Sequence, residues 1–178
     1  MSDIGTEVPA LSRVQIRQAA RHLREMLGIS GYFPIVELLD VGLSRDLPGY
    51  IFDVAEIADM GNHHGLTIPD QNRIIVRLDI YDRACKGHGR DRFTMAHELG
   101  HLILHQDVVL AREEANACIS RPRYRDSEWQ AHTFAGELLI PAHEIRGTKL
   151  HDEFCERYGV SESAAKVQWQ VYKKEGLL

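Results

Sequence analysis

Hydrophobic positions recur at helical spacing over most of this chain and at alternate positions in one short region before its middle. Ile16, Ala19, Ala20, Leu23 and Leu27 form one apolar stripe, on a helix that Ser12 caps and Gly28 ends. Arg13, Arg17, Arg21 and Arg24 fall on its other faces and read as a solvated surface. Pro34 suits the first turn of a short helix carrying Ile35, Val36, Leu38 and Leu39. After a turn at 46–49, residues 50–54, 66–68 and 73–78 read as strands, separated by a polar loop at 59–65 and a turn at 69–72. The last two strands read as a hairpin, and the three together predict a small antiparallel sheet.

Helical spacing then returns. A short helix at 79–86 and a turn at 87–89 precede residues 91–105, where Asp91 is a plausible N-cap and Phe93, Ala96, Leu99, Leu102 and Ile103 make a buried stripe. Residues 111–117 are mixed and polar, and the stretch 120–125, with its three arginines, reads as a solvated loop. A second strongly apolar helix follows, capped by Asp126 or Ser127 and stopped by Pro141, with Ala131, Phe134, Ala135, Leu138 and Leu139 on one face. A helix at 150–158 ends at Gly159, and Ser161 caps a last helix bearing Ala164, Val167, Trp169, Val171 and Tyr172. This pair resembles a helix-turn-helix fragment but lacks basic residues at its recognition end, so it reads as packing. The expectation is an α+β fold: a loose N-terminal tail over 1–10, then a single domain over 11–178 that closes with the helical pair.

Composition narrows the function classes. The chain has 178 residues, 44% hydrophobic and 26% charged, and a formal net charge of −5, so it carries no global basic footprint for nucleic acid. No apolar run approaches the length of a membrane span, and the first residues lack the charged and apolar regions of a signal peptide. Cys85, Cys118 and Cys155 are odd in number and without CxxC spacing, which argues against a disulfide framework and for the cytoplasm.

The chemistry concentrates in 97–101, His-Glu-Leu-Gly-His. On a helix, His97 and His101 share one face a turn apart and can reach a single ion. Glu98 points about 100° away, placed to act on a water rather than to ligate. Two neutral imidazoles with a carboxylate as general base is the arrangement of a zinc hydrolase, in which the ion acidifies water and polarises a carbonyl. His63 and His64, adjacent on an extended segment, point opposite ways and read as a solvated loop.

A catalytic zinc wants a third protein ligand. Asp107 lies ten residues after His97, where a chain that turned sharply out of the helix would place a ligand, but Leu104 stands where that turn needs glycine. His105 extends the row His97–His101 to about 12 Å, too long to converge on one ion, and reads as a helix-end or supporting group. Glu128 and His132 share a face of the later helix, and either can complete the site; spacing alone does not rank them.

The run from Arg92 to His105, with Glu128, Ala131, Phe134, Ala135 and the segment 138–141, resembles the ImmA/IrrE family of metallopeptidases. Residues 72–76, Tyr81, Asp82 and 158–165 extend the resemblance over roughly 30–175. It implies a zincin-like fold with the HExxH helix central, and a His, His, Glu site completed here by Glu128. His132 stands where the family commonly has Asn. It is then an alternative third ligand or, from outside the ligand set, a group orienting a ligand or the water. Tyr81, Tyr124 and His132 are the candidates for stabilising the oxyanion. The resemblance further implies one Zn2+ (iron, manganese or cobalt also suit such ligands) and a protein substrate, a helix-turn-helix repressor or antitoxin in prophage, mobile-element or stress regulation. The competing expectation is a metal-binding regulatory or toxin module that acts by contact without proteolysis.

Overall fold

A computed structural model describes residues 5–106, 122–148 and 150–178. Asp107, the polar segment 111–117, Cys118 and Arg121 lie outside the described residues. Helix α1 (Arg13–Met26) starts with a reciprocal cap between Ser12 and Gln15, and Gly28 turns the chain with a positive φ. Ile16 and Ala20 of its stripe are fully buried. After Pro34, α2 (Ile35–Glu37) passes through a π-helical turn at Leu38–Gly42 into α3 (Leu43–Asp46). Strand β1 (Ile51–Ala55), a one-turn helix α4 (Ile57–Met60), β2 (Gly65–Ile68) and β3 (Arg73–Arg77) follow.

The sheet order is β1-β3-β2. β2 and β3 pair antiparallel, as the hairpin reading expects, but β1 pairs parallel with β3, so the sheet is mixed rather than antiparallel. Two successive chain reversals bring β3 back to the direction of β1. β3 takes the centre because its alternating Ile74 and Val76 are fully buried, whereas β1 buries little.

Helix α5 (Leu78–Cys85) leads to α6 (Gly89–Leu104), which begins two residues before the cap expected at Asp91. Asp91 is instead a buried first-turn carboxylate that accepts a two-pronged bond from Arg83 at 2.9 and 3.1 Å. It still places negative charge near the positive end of the helix. α6 packs against α2, α5, β2, β3 and, most extensively, α7 (Ser127–Leu139), which Asp126 caps through the Trp129 amide. The closing pair is α8 (Asp152–Tyr158), ended by left-handed Gly159, and α9 (Glu162–Lys174), capped by Ser161.

Three polar anchors were not legible as such. Arg24, read as solvated, is buried and donates at 2.8 Å to the Leu138 carbonyl, left unpaired at the end of α7, and at 2.7 Å to the Gly31 carbonyl in the turn after α1. Arg13 and Arg17 reach the buried Glu137, which also accepts from the Tyr172 hydroxyl. Buried Arg92 donates to the Tyr158, Gly159 and Phe33 carbonyls and stacks on Tyr32, tying the closing pair to α6. The stretch read as a tail is held from Thr6 onward: Glu7 bridges Asp126, and the Val8 and Leu11 amides donate to the Arg125 and Tyr124 carbonyls. Among the described residues, no helix is long and apolar enough to cross a membrane.

Candidate metal and catalytic site

The close approach of two helices builds the site. Gly100, between the two histidines of the motif, faces α7. A Cβ there would sit 3.1 Å from the Cα and carbonyl oxygen of Ala131 and 3.2 Å from the Phe134 ring. The missing side chain therefore lets α7 lie against α6 at backbone distance, and the first turn of α7 carries Glu128 up to the two imidazoles.

His97 Nε2, His101 Nε2 and the Glu128 carboxylate then form a small triangle. The two nitrogens are 3.0 Å apart; Glu128 Oε2 is 3.1 Å from His97 and Oε1 is 3.2 Å from His101. A tetrahedral zinc with bonds of about 2.0–2.1 Å spaces its ligand atoms by about 3.3 Å, so displacements of a few tenths of an ångström admit an ion. The donor set, two imidazoles and a carboxylate, fits a borderline-soft divalent cation. Among the described residues this is the one cluster of His, Cys, Asp and Glu with that convergence.

The charges support one another. Burial alone works to raise the Glu128 pKa, but the facing imidazoles of His101 and His97 outweigh it and hold the carboxylate well below its usual range. Burial works to lower the His97 pKa, while Glu128 and the charge of Glu98 outweigh it and raise the value.

Glu98 is buried against β2. The Thr67 hydroxyl lies 2.6 Å from its Oε2 and 3.0 Å from its backbone carbonyl. With one proton to give, Thr67 gives it to the nearer, charged acceptor. A Cβ on Gly65 would fall 2.6 Å from Glu98 Cγ and 2.7 Å from Oε1, so only glycine lets the strand lie this close. Neither Thr67 nor Gly65 carries a motif in the sequence. β2, which carries both, is followed by β3 and α5 before α6 begins, so sequence distance gives no signal of the contact.

Behind His101 stands a polar chain. His101 Nδ1 is 3.2 Å from His105 Nδ1, and His105 Nε2 is 3.1 Å from Gln130 Oε1, all buried. Gln130 Nε2 lies 2.8 Å from both the Pro9 and the Tyr124 carbonyls. His105 thus occupies the supporting place expected of it. Burial, then the neighbouring His101, pushes its pKa down to about 4. Gln130 went unremarked in the sequence, being apart from every motif.

The remaining candidates lie elsewhere. His132 is outside the triangle; its ring meets His97 edge-on at 5.5 Å and Phe93 at 4.8 Å, with its pKa lowered by burial and by His97. The Tyr81 hydroxyl donates to Asp40, and its ring lies by Phe52 of β1, the sheet edge opposite the strand that touches Glu98. The Tyr124 side chain is exposed; only its carbonyl enters the polar chain. His63 and His64 are exposed, as expected of a loop.

Comparison with known proteins agrees with the architecture. The family model of Peptidase_M78, described as the IrrE N-terminal-like domain, matches residues 57–170. No curated protein matches the chain significantly. Among solved structures, a Mycobacterium tuberculosis transcriptional regulator shares the fold with a TM-score of 0.59 at 20% identity. The alignment covers 86% of this chain and 46% of that one, so this chain spans about half of the regulator's length.

Proposed function

Because the chain belongs to the Peptidase_M78 family of IrrE N-terminal-like domains, we propose that it is a zinc-dependent endopeptidase acting on a specific protein partner. In this reading His97, His101 and Glu128 hold the ion and Glu98 is the general base. The observation that carries it is the triangle of two imidazole nitrogens and a carboxylate, 3.0–3.2 Å on a side, next to a carboxylate held separately by Thr67.

When bound, a divalent cation supplies Lewis acidity that acidifies water and polarises a carbonyl. Glu98, with Oε2 held by Thr67, takes the proton of the attacking water and passes it to the leaving amine. Glu128 supplies the neutralising charge and the imidazoles neutral donor nitrogens, while His132, its ring 5.5 Å from that of His97, is the candidate neutral donor for the oxyanion. The partner is a helix-turn-helix repressor or antitoxin in the cytoplasm. The family match is what supports this reading.

The test incubates the zinc-loaded chain, and its Glu98→Gln variant, with helix-turn-helix repressors encoded beside its gene, and reads cleavage by mass spectrometry. Cleavage by the wild type alone is expected. Equal cleavage by both rejects Glu98 as base, and partner binding without cleavage by either points to a contact-only regulatory module.

A further inference from the structure

The polar chain behind His101 determines where that imidazole carries its proton. Gln130 Nε2 faces two backbone carbonyls, of Pro9 and Tyr124, each at 2.8 Å. Carbonyls only accept, so both amide hydrogens of Gln130 are committed to them. The flipped amide would set Oε1 against two carbonyl oxygens, so its orientation is fixed and Oε1 must face His105. His105 Nε2, 3.1 Å away, therefore donates. A neutral imidazole has one proton, which leaves His105 Nδ1 with a lone pair. The contact of 3.2 Å to His101 Nδ1 is a hydrogen bond only when His101 donates. His101 Nε2 is then left with its lone pair aimed at Glu128 and His97.

We infer that Gln130 and His105 are positioning residues that lock His101 in the Nδ1–H tautomer, so that its Nε2 is presented as a ready metal ligand before any ion arrives. The relay ends on main-chain carbonyls and not on a carboxylate. It therefore sets direction without adding charge to the site, and it couples the metal ligand to the 5–11 segment through Pro9. Its action on metal affinity rests on the proposed reading of His97, His101 and Glu128 as ligands; its action on the tautomer does not. Supporting groups of this kind are worth about 10–100-fold in metal affinity.

Two measurements on the full chain test it. Two-bond 1H–15N NMR of the metal-free protein at mildly alkaline pH is expected to find the His101 proton on Nδ1; a proton on Nε2 overturns the relay. Competition with a chromophoric chelator then reads zinc affinity. His105→Phe, which keeps a ring but no nitrogens, and Gln130→Leu are each expected to lose about 10–100-fold. His105→Gln, whose amide can accept from His101 and donate to Gln130, is expected to retain most of the affinity. A folded His105→Phe that binds zinc as tightly as the wild type overturns the proposal, since a merely space-filling role predicts that result. If a variant fails to fold, the wild-type tautomer decides. A wild-type chain that takes up no zinc removes the metallopeptidase reading, and the tautomer alone then upholds or overturns the relay.

Discussion

His97 and His101 are the same residue type, one helical turn apart on α6, with Nε2 atoms 3.0 Å from each other. Their backs differ. His101 leans on a buried polar chain that ends at two backbone carbonyls. His97 Nδ1 is buried without a hydrogen-bond partner among the described residues, and its ring is steadied by the edge-on rings of His101 and His132. One imidazole is oriented by hydrogen bonds, which set both angle and proton. The other is oriented by packing, which sets angle alone. In the proposed reading, the metal site has one vertex fixed in advance and one that is free to adjust.

The largest expected effect leaves that comparison untouched. Glu98→Gln should lower peptide cleavage by about 10²–10⁴-fold while zinc affinity stays near wild type, because the proposed base is held by Thr67 and not by either imidazole. Parallel turnover and chelator-competition assays check it. A comparable loss of zinc would place Glu98 among the ligands.

Gly100→Ala should break both sides of the comparison together. Its Cβ meets the Ala131 backbone at 3.1 Å, so α7 must withdraw and take Glu128 with it. Overpacking of this kind costs about 1–3 kcal/mol, and calorimetry should record a drop of about 2–4 °C per kcal/mol for a domain of this size. An unchanged melting temperature with unchanged zinc affinity would show that the close approach is not what seats Glu128.

Thr67→Val removes one hydroxyl and keeps the shape. Losing a hydrogen bond to a carboxylate is worth about 1.5–3 kcal/mol. Cleavage should fall by about tenfold or more, with zinc affinity and His101 tautomer unchanged. Turnover equal to wild type would show that Glu98 needs no such hold.

The smallest effect sharpens the contrast itself. Replacing His132 by Asn removes the ring contact to His97, and aromatic pairs of that kind contribute about 0.5–1.5 kcal/mol. Zinc affinity should weaken by about 2–10-fold, less than for His105→Phe at the other imidazole. The reverse order, measured by the same competition, would mean that packing and not the relay dominates.

Much of this was legible one turn at a time. The helix caps at Ser12, Asp126 and Ser161, the Gly28 and Gly159 stops, and the pairing of residues 66–68 with 73–77 follow from neighbours in sequence. So does the placing of His97 and His101 on one face. Covalent geometry and the 3.6-residue period impose such features whatever the rest of the chain does. Asp91 shows the limit even there: its carboxylate was free to cap until Arg83, eight residues back, claimed it.

The amino-acid order alone determined the paired histidines, Glu98 beside them, the apolar faces that bury α6 and α7, and the small sheet's strands. Only the tertiary structure decided that β3 lies between β1 and β2, that Arg24 and Arg92 are interior, and that Glu128, not its same-face neighbour His132, meets both imidazoles. It also decided that Gln130 and two distant carbonyls stand behind His101. The physical reason is common to all of these. Period and capping are local properties of the backbone, whereas the angle and depth at which two helices cross depend on every side chain between them, and here on the absence of one at Gly100.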